Sequence, residues 1–457
     1  MSGEIAGEKL MNRWTVVVGA ILVQLCLGAI YAWSVFTKAL EMPVADGGVY
    51  GITKLQTQLI FSVGLATFAV VMLFAGRLQA KAGPRPISML GGIVLGIGYM
   101  LGGLLGKSFV AQLVCIGLIG GAGIGLAYVV PIAVCVKWFP DKKGLITGLA
   151  VAGFGFGATL WVKLAGGFKT ILWLVPFQFK GLLATVHVLG LPGVQGVFLI
   201  YGIVFLVLVL LGSIVLINPP AGYKPAGWNP PAAVAASGAI NLVEREMFAA
   251  AQFYALWLVF MGSAMAGLMV IGCIKLFGID ALQARGAAAD AAVAGPIADT
   301  AMALLAILNG LGRIVWGSVS ETLGRKVSIF LMCVFQGLIM FVFYYIGGTT
   351  MGLIVGACII GFNFGGNFAL FPAATADYFG NKNVGTNYPW VFLAYGVAGI
   401  AGPSIAGKFS GAVPKGAELA VRLNAWFMPF AIASVACFAG AVLALTLKPP
   451  AHKTKQA

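Results

Sequence analysis

Charge is what this sequence has least of. Lysine, arginine, aspartate and glutamate together make up 9% of its 457 residues, and only 13 residues are acidic. Histidine occurs twice, at His187 and His452, both outside the long apolar runs. So sparse a set offers no nucleophile beside a base, no carboxylate pair and no metal cluster, which argues against an enzyme. Seven cysteines (Cys26, Cys115, Cys135, Cys273, Cys333, Cys358 and Cys437) fall in or beside apolar runs, without a C-x-x-C or a neighbouring histidine. They read as small packing residues, neither disulfides nor metal ligands. Gly402 to Phe409, "GPSIAGKF", imitates a phosphate-binding loop but lacks the hydroxyl residue after Lys408, so no nucleotide cofactor is expected. The formal charge of +15 does not point to nucleic acid, because the basic residues are dispersed among short turns.

What fills the chain instead is hydrocarbon. It is 60% hydrophobic, with a mean hydropathy of +1.00, far from an ordinary water-soluble domain. About twenty apolar residues in a row cross a ~30 Å hydrocarbon layer as helix. Twelve such windows are present, near residues 14–36, 55–75, 86–106, 109–136, 145–164, 197–217, 253–277, 297–319, 327–346, 353–371, 388–407 and 426–447. The expectation is an all-α membrane protein of twelve transmembrane helices, embedded in a plasma (inner) membrane and functional as a monomer. The polar start, residues 1–13, lacks a signal-peptide cleavage pattern, so the first span is expected to be retained. Of the basic residues, 16 fall on the termini and even-numbered turns, 11 on the odd-numbered turns, and Arg313 inside a span. The positive-inside rule then puts both termini in the cytoplasm.

Asn218 to Met247 breaks the series. Five prolines and two glycines within its first fourteen residues suit neither helix nor strand. The expected organisation is a six-helix bundle over 1–217, a central cytoplasmic linker over 218–247 and a second six-helix bundle over 248–457. The halves repeat: "GRLQAKAGPR" begins at Gly76 and "GSVSETLGRK" at Gly317, and at the same offset of 241 Pro131 answers Pro372.

Arg313 stands apart. It lies eight residues before Glu321, where the eighth span ends, hence ~12 Å deep at 1.5 Å per residue. A guanidinium at that depth is costly and marks a functional site by default. A planar, always-charged fork matches a carboxylate through two parallel hydrogen bonds, so an unpaired Arg313 points to a substrate anion. The alternative is a structural arginine tied to backbone carbonyls or to a carboxylate on another helix, for which Asp377 is the deepest candidate. Asn309, at i−4, shares the face of Arg313; it reads equally well as a helix-packing amide.

Two six-helix halves, a central loop and glycine-rich basic motifs after spans two and eight (Gly76, Gly83 and Arg85; Gly317, Glu321, Gly324 and Arg325) resemble the major facilitator superfamily. One departure is Ala80, which stands where the second half has Glu321. In that superfamily the acid helps hold one gating state. The stretches "RWTVVVGAILVQLCLGAIYAWSVF", "KWFPDKKGLITGLAVAGFGFGA", "NPPAGYKPAGWNPP", "AAQFYALWLVFMGSAMAGLMVIG" and "GGNFALFPAATADYFGNKNVGTNYPWVFLAYGVAGIAGP" narrow the match. They look like the oxalate:formate antiporter family, close to the monocarboxylate transporters. The resemblance implies a major facilitator fold, alternating access, a site near the midplane between the halves, and a substrate-binding arginine at Arg313. It places cavity residues at Tyr31, Tyr128, Phe154, Phe364, Phe368, Phe392 and Tyr395.

Two further departures shape the expected substrate. Eukaryotic monocarboxylate transporters commonly carry an aspartate, used in proton coupling, where this chain has Asn309. The family's oxalate exchangers carry a lysine where this chain has Tyr395. A single buried cation favours a monoanion, so the expected cargo is a small carboxylate anion such as lactate, pyruvate or formate, with proton co-transport left open. Exchange of a dicarboxylate for a monocarboxylate is the rival within transport. From another class, a membrane receptor that binds an anion without moving it would fit the same residues. Residues 166–196, with Trp173, Phe177 and Phe179 between Lys169 and Lys180, read as an interfacial helix on the outer leaflet, or alternatively as a lid. His187 there could sense pH, though a lone loop histidine rarely does.

Overall fold

A computed structural model describes residues 4–5, 8–9, 11–41, 49–171, 175–188, 190–225, 241–414 and 416–450. The middle of the linker (226–240), Trp173 and His452 lie outside the described residues.

Among the described residues, twelve helices are long and apolar enough to cross a membrane. They are α1 Arg13–Ala32, α2 Lys54–Ala82, α3 Pro84–Leu105, α4 Phe109–Trp138, α5 Lys143–Gly166, α6 Val194–Ser213, α7 Ala251–Ala284, α8 Ala291–Leu323, α9 Arg325–Ile346, α10 Thr350–Phe379, α11 Val384–Gly411 and α12 Leu419–Ala444. Several outrun their apolar windows, α7 at 34 and α8 at 33 residues. The extra turns of α8 begin at a cap: the Asp290 side chain accepts from Val293 N at 2.9 Å, meeting a donor that the first turn leaves open.

Two corners are made by one glycine each. Gly83 (φ +87°) is the sole residue between α2 and α3, and Gly324 (φ +81°) the sole residue between α8 and α9. That backbone is strained for any residue with a Cβ. Because α2 and α8 run up to these corners, Gly76 and Gly317 belong to the final turns of helices and not to loops, correcting the expected position of both motifs. Pro131 and Pro372 both lie inside helices, α4 and α10.

By packing, the chain forms two compact units: residues 1–13, 135–152 and 219–457, and residues 14–134 and 153–218. In the second of these, Trp161 Nε1 donates to Leu25 O at 2.7 Å, Tyr201 OH to Trp161 O at 2.5 Å, and Gln24 Nε2 to Tyr128 O at 3.0 Å. In the first, Phe277, Phe343, Trp426 and Phe430 form a buried aromatic core. Beside it Asp280 accepts from Trp426 Nε1 at 3.0 Å and pairs with Arg422. Side chains such as Val18, Phe74, Leu211, Val435 and Val442 stay exposed on the helices, as a surface meant for lipid should. The cysteines are free thiols, all buried except the half-buried Cys358.

Residues 166–196 depart from the expected interfacial helix. Phe168–Ile171 pairs antiparallel with Val175–Phe179, followed by a single helical turn, Leu182–Thr185. Thr170, Ile171 and Val175 are β-branched, and Pro176 is a poor interior helix residue, so the local preference is for strand.

Candidate functional site

Arg313 is completely buried, 0% exposed, on α8. Asn309, one turn earlier and itself 2% exposed, presents Oδ1 to two of its nitrogens, Nε at 3.2 Å and Nη2 at 3.0 Å. Nη1 donates to the Val151 carbonyl of α5 at 2.8 Å. The guanidinium carbon sits 4.1 Å from the centre of the Phe368 ring, within the range of a cation–π attraction. The expectation of an unpaired guanidinium is therefore corrected: the i−4 spacing brings Asn309 within reach, and a backbone carbonyl joins it. Asp377, the expected carboxylate rival, pairs elsewhere.

Around this group the predicted aromatic residues of the same unit come together. Phe368 meets Phe364 at 5.2 Å, Tyr395 at 5.5 Å and Phe392 at 6.5 Å, and Phe392 stacks on Tyr395 at 4.8 Å. All four are buried. They sit on α10 and α11; α10 packs against α8 and α11 against α10, which determines what surrounds Arg313. Phe260, stacked on Phe371 at 4.3 Å and 6.0 Å from Phe392, extends the cluster and was not foreseen. In the other unit, Phe154 meets Tyr31 at 5.0 Å and Tyr128 at 5.6 Å, and Phe68 joins both Tyr128 and Phe154. The predicted Tyr31, Tyr128 and Phe154 thus form one cluster, to which the structure adds Phe68.

The approach of α5 to α8 is set by a glycine. A Cβ on Gly148 would collide with the Arg313 carbonyl oxygen and would stand 3.2 Å from Ile314 Cα. Any larger residue would hold α5 away and carry the Val151 carbonyl with it. Neither residue was legible as a site residue, because the contact joins positions 162 apart in sequence.

One end of the same helices carries an ionic network. Asp377 of α10 accepts from Lys143 Nζ at 3.0 Å and from Arg325 Nε at 2.8 Å. Arg325 Nη2 also pairs with Glu321 at 2.9 Å, its Nη1 meets Ser320 Oγ, and Glu321 accepts from Gly144 N. Glu321 and Arg325 therefore tie the start of α5 to α8, α9 and α10. The repeat partners of these two residues, at the offset of 241, are Ala80 and Pro84, which can form no such pair. Arg85, from the first-half motif, is exposed and Gly76 buried.

Helices of membrane-crossing length, with a buried cation set on an aromatic ring between them, make this an integral membrane protein. The chain belongs to the Major Facilitator Superfamily, whose model matches residues 14–403, and it is a transporter rather than an enzyme. It is 26% identical over 442 residues to the oxalate:formate antiporter of Oxalobacter formigenes, covering 96% of this chain and 92% of that protein. Apicoplast pyruvate carrier 1 of Toxoplasma gondii is 25% identical over 463 residues, covering 86% and 83%. The uncharacterized MFS-type transporter YhjX of Escherichia coli (strain K12) is 28% identical over 403 residues, covering 85% and 86%.

Proposed function

We propose that the protein carries small monocarboxylate anions by alternating access, with Arg313 holding the carboxylate. The observation that supports this most is the guanidinium itself: wholly buried in a span and set on the Phe368 ring, which in turn packs against Phe364, Phe392 and Tyr395. Such a site gives a carboxylate a charged planar partner and gives a short alkyl group an apolar enclosure. Similarity to proteins named for formate and pyruvate agrees with that class. In this reading residues 1–217 and 248–457 are the two moving halves, 218–247 links them, and both termini face the cytoplasm from an inner membrane. A single copy suffices, and the lipid bilayer is the only obligate surrounding.

An anion that binds Arg313 competes with the Val151 carbonyl for Nη1. Occupation of the site therefore loosens one tie between α5 and α8. The ionic network of Lys143, Glu321, Arg325 and Asp377 is the second tie, and it must open whenever α5 separates from α8, α9 and α10. Asn309 has no titratable proton, so a proton-coupled version would need another carrier.

A second reading, exchange of a dicarboxylate for a monocarboxylate, is favoured by the similarity to the oxalate:formate antiporter across nearly the whole chain. Tyr395 favours the monoanion, because it adds no positive charge to balance a second carboxylate. Uptake into proteoliposomes, with oxalate competing against labelled pyruvate or formate, tests the two. Inhibition by monoacids and not by oxalate supports the first; efficient oxalate exchange overturns it. Anion binding without uptake would instead indicate a receptor.

A further inference from the structure

The face of α8 that carries Arg313 continues as a stripe toward the start of the helix. Counting back in steps of four and three, Asn309, Ala306, Met302 and Asp299 follow on it. Asp299 stands fourteen residues before Arg313, hence about 21 Å along the helix and about 40° around it. The opposite face, with Leu311 and Val315, is exposed and apolar, which suits lipid. Exposure falls along the stripe: Asp299 is exposed, Met302 and Ala306 are half-buried, and Asn309 and Arg313 are buried. It leads from the end of α8 opposite the ionic network down to the guanidinium.

A cation stands at the mouth of this stripe. Lys275 of α7 reaches across to Asp299, with Nζ 2.8 Å from one carboxylate oxygen and 3.0 Å from the other. The two side chains are 48% and 54% exposed, so water screens the pair; such pairs shift an equilibrium by only about 1.5- to 5-fold. Neighbouring acids have structural duties: Asp280 accepts from Trp426 Nε1 and pairs with Arg422, and Asp290 caps α8. The Lys275 pair joins two groups that water already solvates.

We propose that Lys275 is a capture site for the incoming anion, a second and weaker carboxylate site at the mouth. The substrate displaces Asp299 from Lys275 and then moves along the stripe to Arg313. This inference rests on the proposed function, in whose orientation the mouth faces away from the cytoplasm. One carboxylate replaces another, so the number of ion pairs is unchanged and the exchange costs little. An ammonium on a flexible stem suits a brief stop, because it lacks the planar fork with which Arg313 can hold a carboxylate in two parallel bonds. Asp299 is a competitor built into the site. It neutralises Lys275 while the mouth is empty and keeps capture weaker than binding at Arg313, so the anion passes inward.

The two residues then act in opposite directions, which a merely structural ion pair would not do. The test is initial-rate uptake of a labelled monoacid (pyruvate, lactate or formate, whichever is carried fastest) in right-side-out and in inside-out membrane vesicles. From the outer side at low ionic strength, Lys275→Gln should raise KM about three- to tenfold. Asp299→Asn should lower it about two- to fivefold, and Lys275→Arg should keep it within about twofold of wild type. Neither kcat nor the KM read from the cytoplasmic side should move by more than about twofold. Raising salt from about 0.01 to 0.1 M shortens the screening length from about 30 to about 10 Å and should narrow the gap between wild type and Lys275→Gln. Asp299→Asn and the wild-type salt series give readings that do not depend on Lys275→Gln folding. A raised outer KM in both Lys275→Gln and Asp299→Asn marks the pair as structural and overturns the capture role, as does an unchanged outer KM in both; either result leaves Arg313 as the anion site. Failure of wild type to take up any of the three acids overturns the proposed function, and this inference with it.

Discussion

Replacing Gly148 with alanine adds one methyl group at the point where α5 touches α8. That carbon would stand 2.9 Å from the Arg313 carbonyl carbon and 3.2 Å from Ile314 Cα, and would overlap the Arg313 carbonyl oxygen. Carbon atoms rest at about 3.5 to 4.0 Å, so α5 must retreat by roughly 1 Å or the contact must deform. Overpacking of this kind costs about 1 to 3 kcal/mol, a factor of roughly 5 to 150 against the arrangement in which the two helices touch. Val151 is three residues further along α5, and its 2.8 Å bond to Arg313 lengthens with the retreat. Removing that competitor leaves Nη1 to the substrate. The expected result is a turnover about five- to hundredfold below wild type with no rise in KM, since the site still binds but the closed contact no longer forms readily. Initial-rate uptake in proteoliposomes reads both numbers, and the unfolding temperature in detergent separates them from misfolding. Wild-type turnover in Gly148→Ala would refute the claim that contact of α5 with α8 belongs to the transport cycle.

Three more perturbations probe separate parts of the site. Asp377→Asn removes the carboxylate shared by Lys143 and Arg325; depriving Lys143 of that partner and leaving Arg325 with Glu321 alone should lower the unfolding temperature in detergent measurably and slow uptake, whereas no change in either would show the network to be idle. Phe368→Leu keeps the volume nearly constant but removes the ring under Arg313; a cation–π contact of about 0.5 to 2 kcal/mol predicts a rise in KM of roughly 2- to 30-fold, measured by substrate titration of uptake. Tyr395→Lys adds a second cation next to Phe368 and Phe392 and should admit oxalate at the expense of pyruvate, as read by competition.

The number of spans was legible because twenty apolar residues in water have few alternatives. Their ends were less so: α7 and α8 continue beyond the hydrocarbon windows, where caps such as Asp290 and corners such as Gly324 decide, and hydropathy is silent about both. The pairing of Asn309 with Arg313 follows from helical spacing and could be anticipated. Which amide atom faces the guanidinium could not, since that depends on the donors around it. Val151 and Gly148 escaped because a backbone carbonyl and a small residue carry no chemical signature in sequence; only the crossing of α5 over α8 makes them part of the site. The strand pair in residues 166–196 was hidden by lysines and aromatics that suit an interfacial helix equally well. For the ionic network, Glu321 and Arg325 were visible as motif residues, while Lys143 and Asp377 needed the fold to bring them together.

The most direct test of the account is uptake of labelled pyruvate, lactate, formate and oxalate by proteoliposomes of wild type and Arg313→Gln, each with and without an inward proton gradient. The site described here predicts monoacid uptake by wild type that falls at least about hundredfold in the variant, since a buried charge partner of the substrate is worth roughly 3 kcal/mol or more. Uptake by Arg313→Gln at the wild-type rate and KM would contradict it.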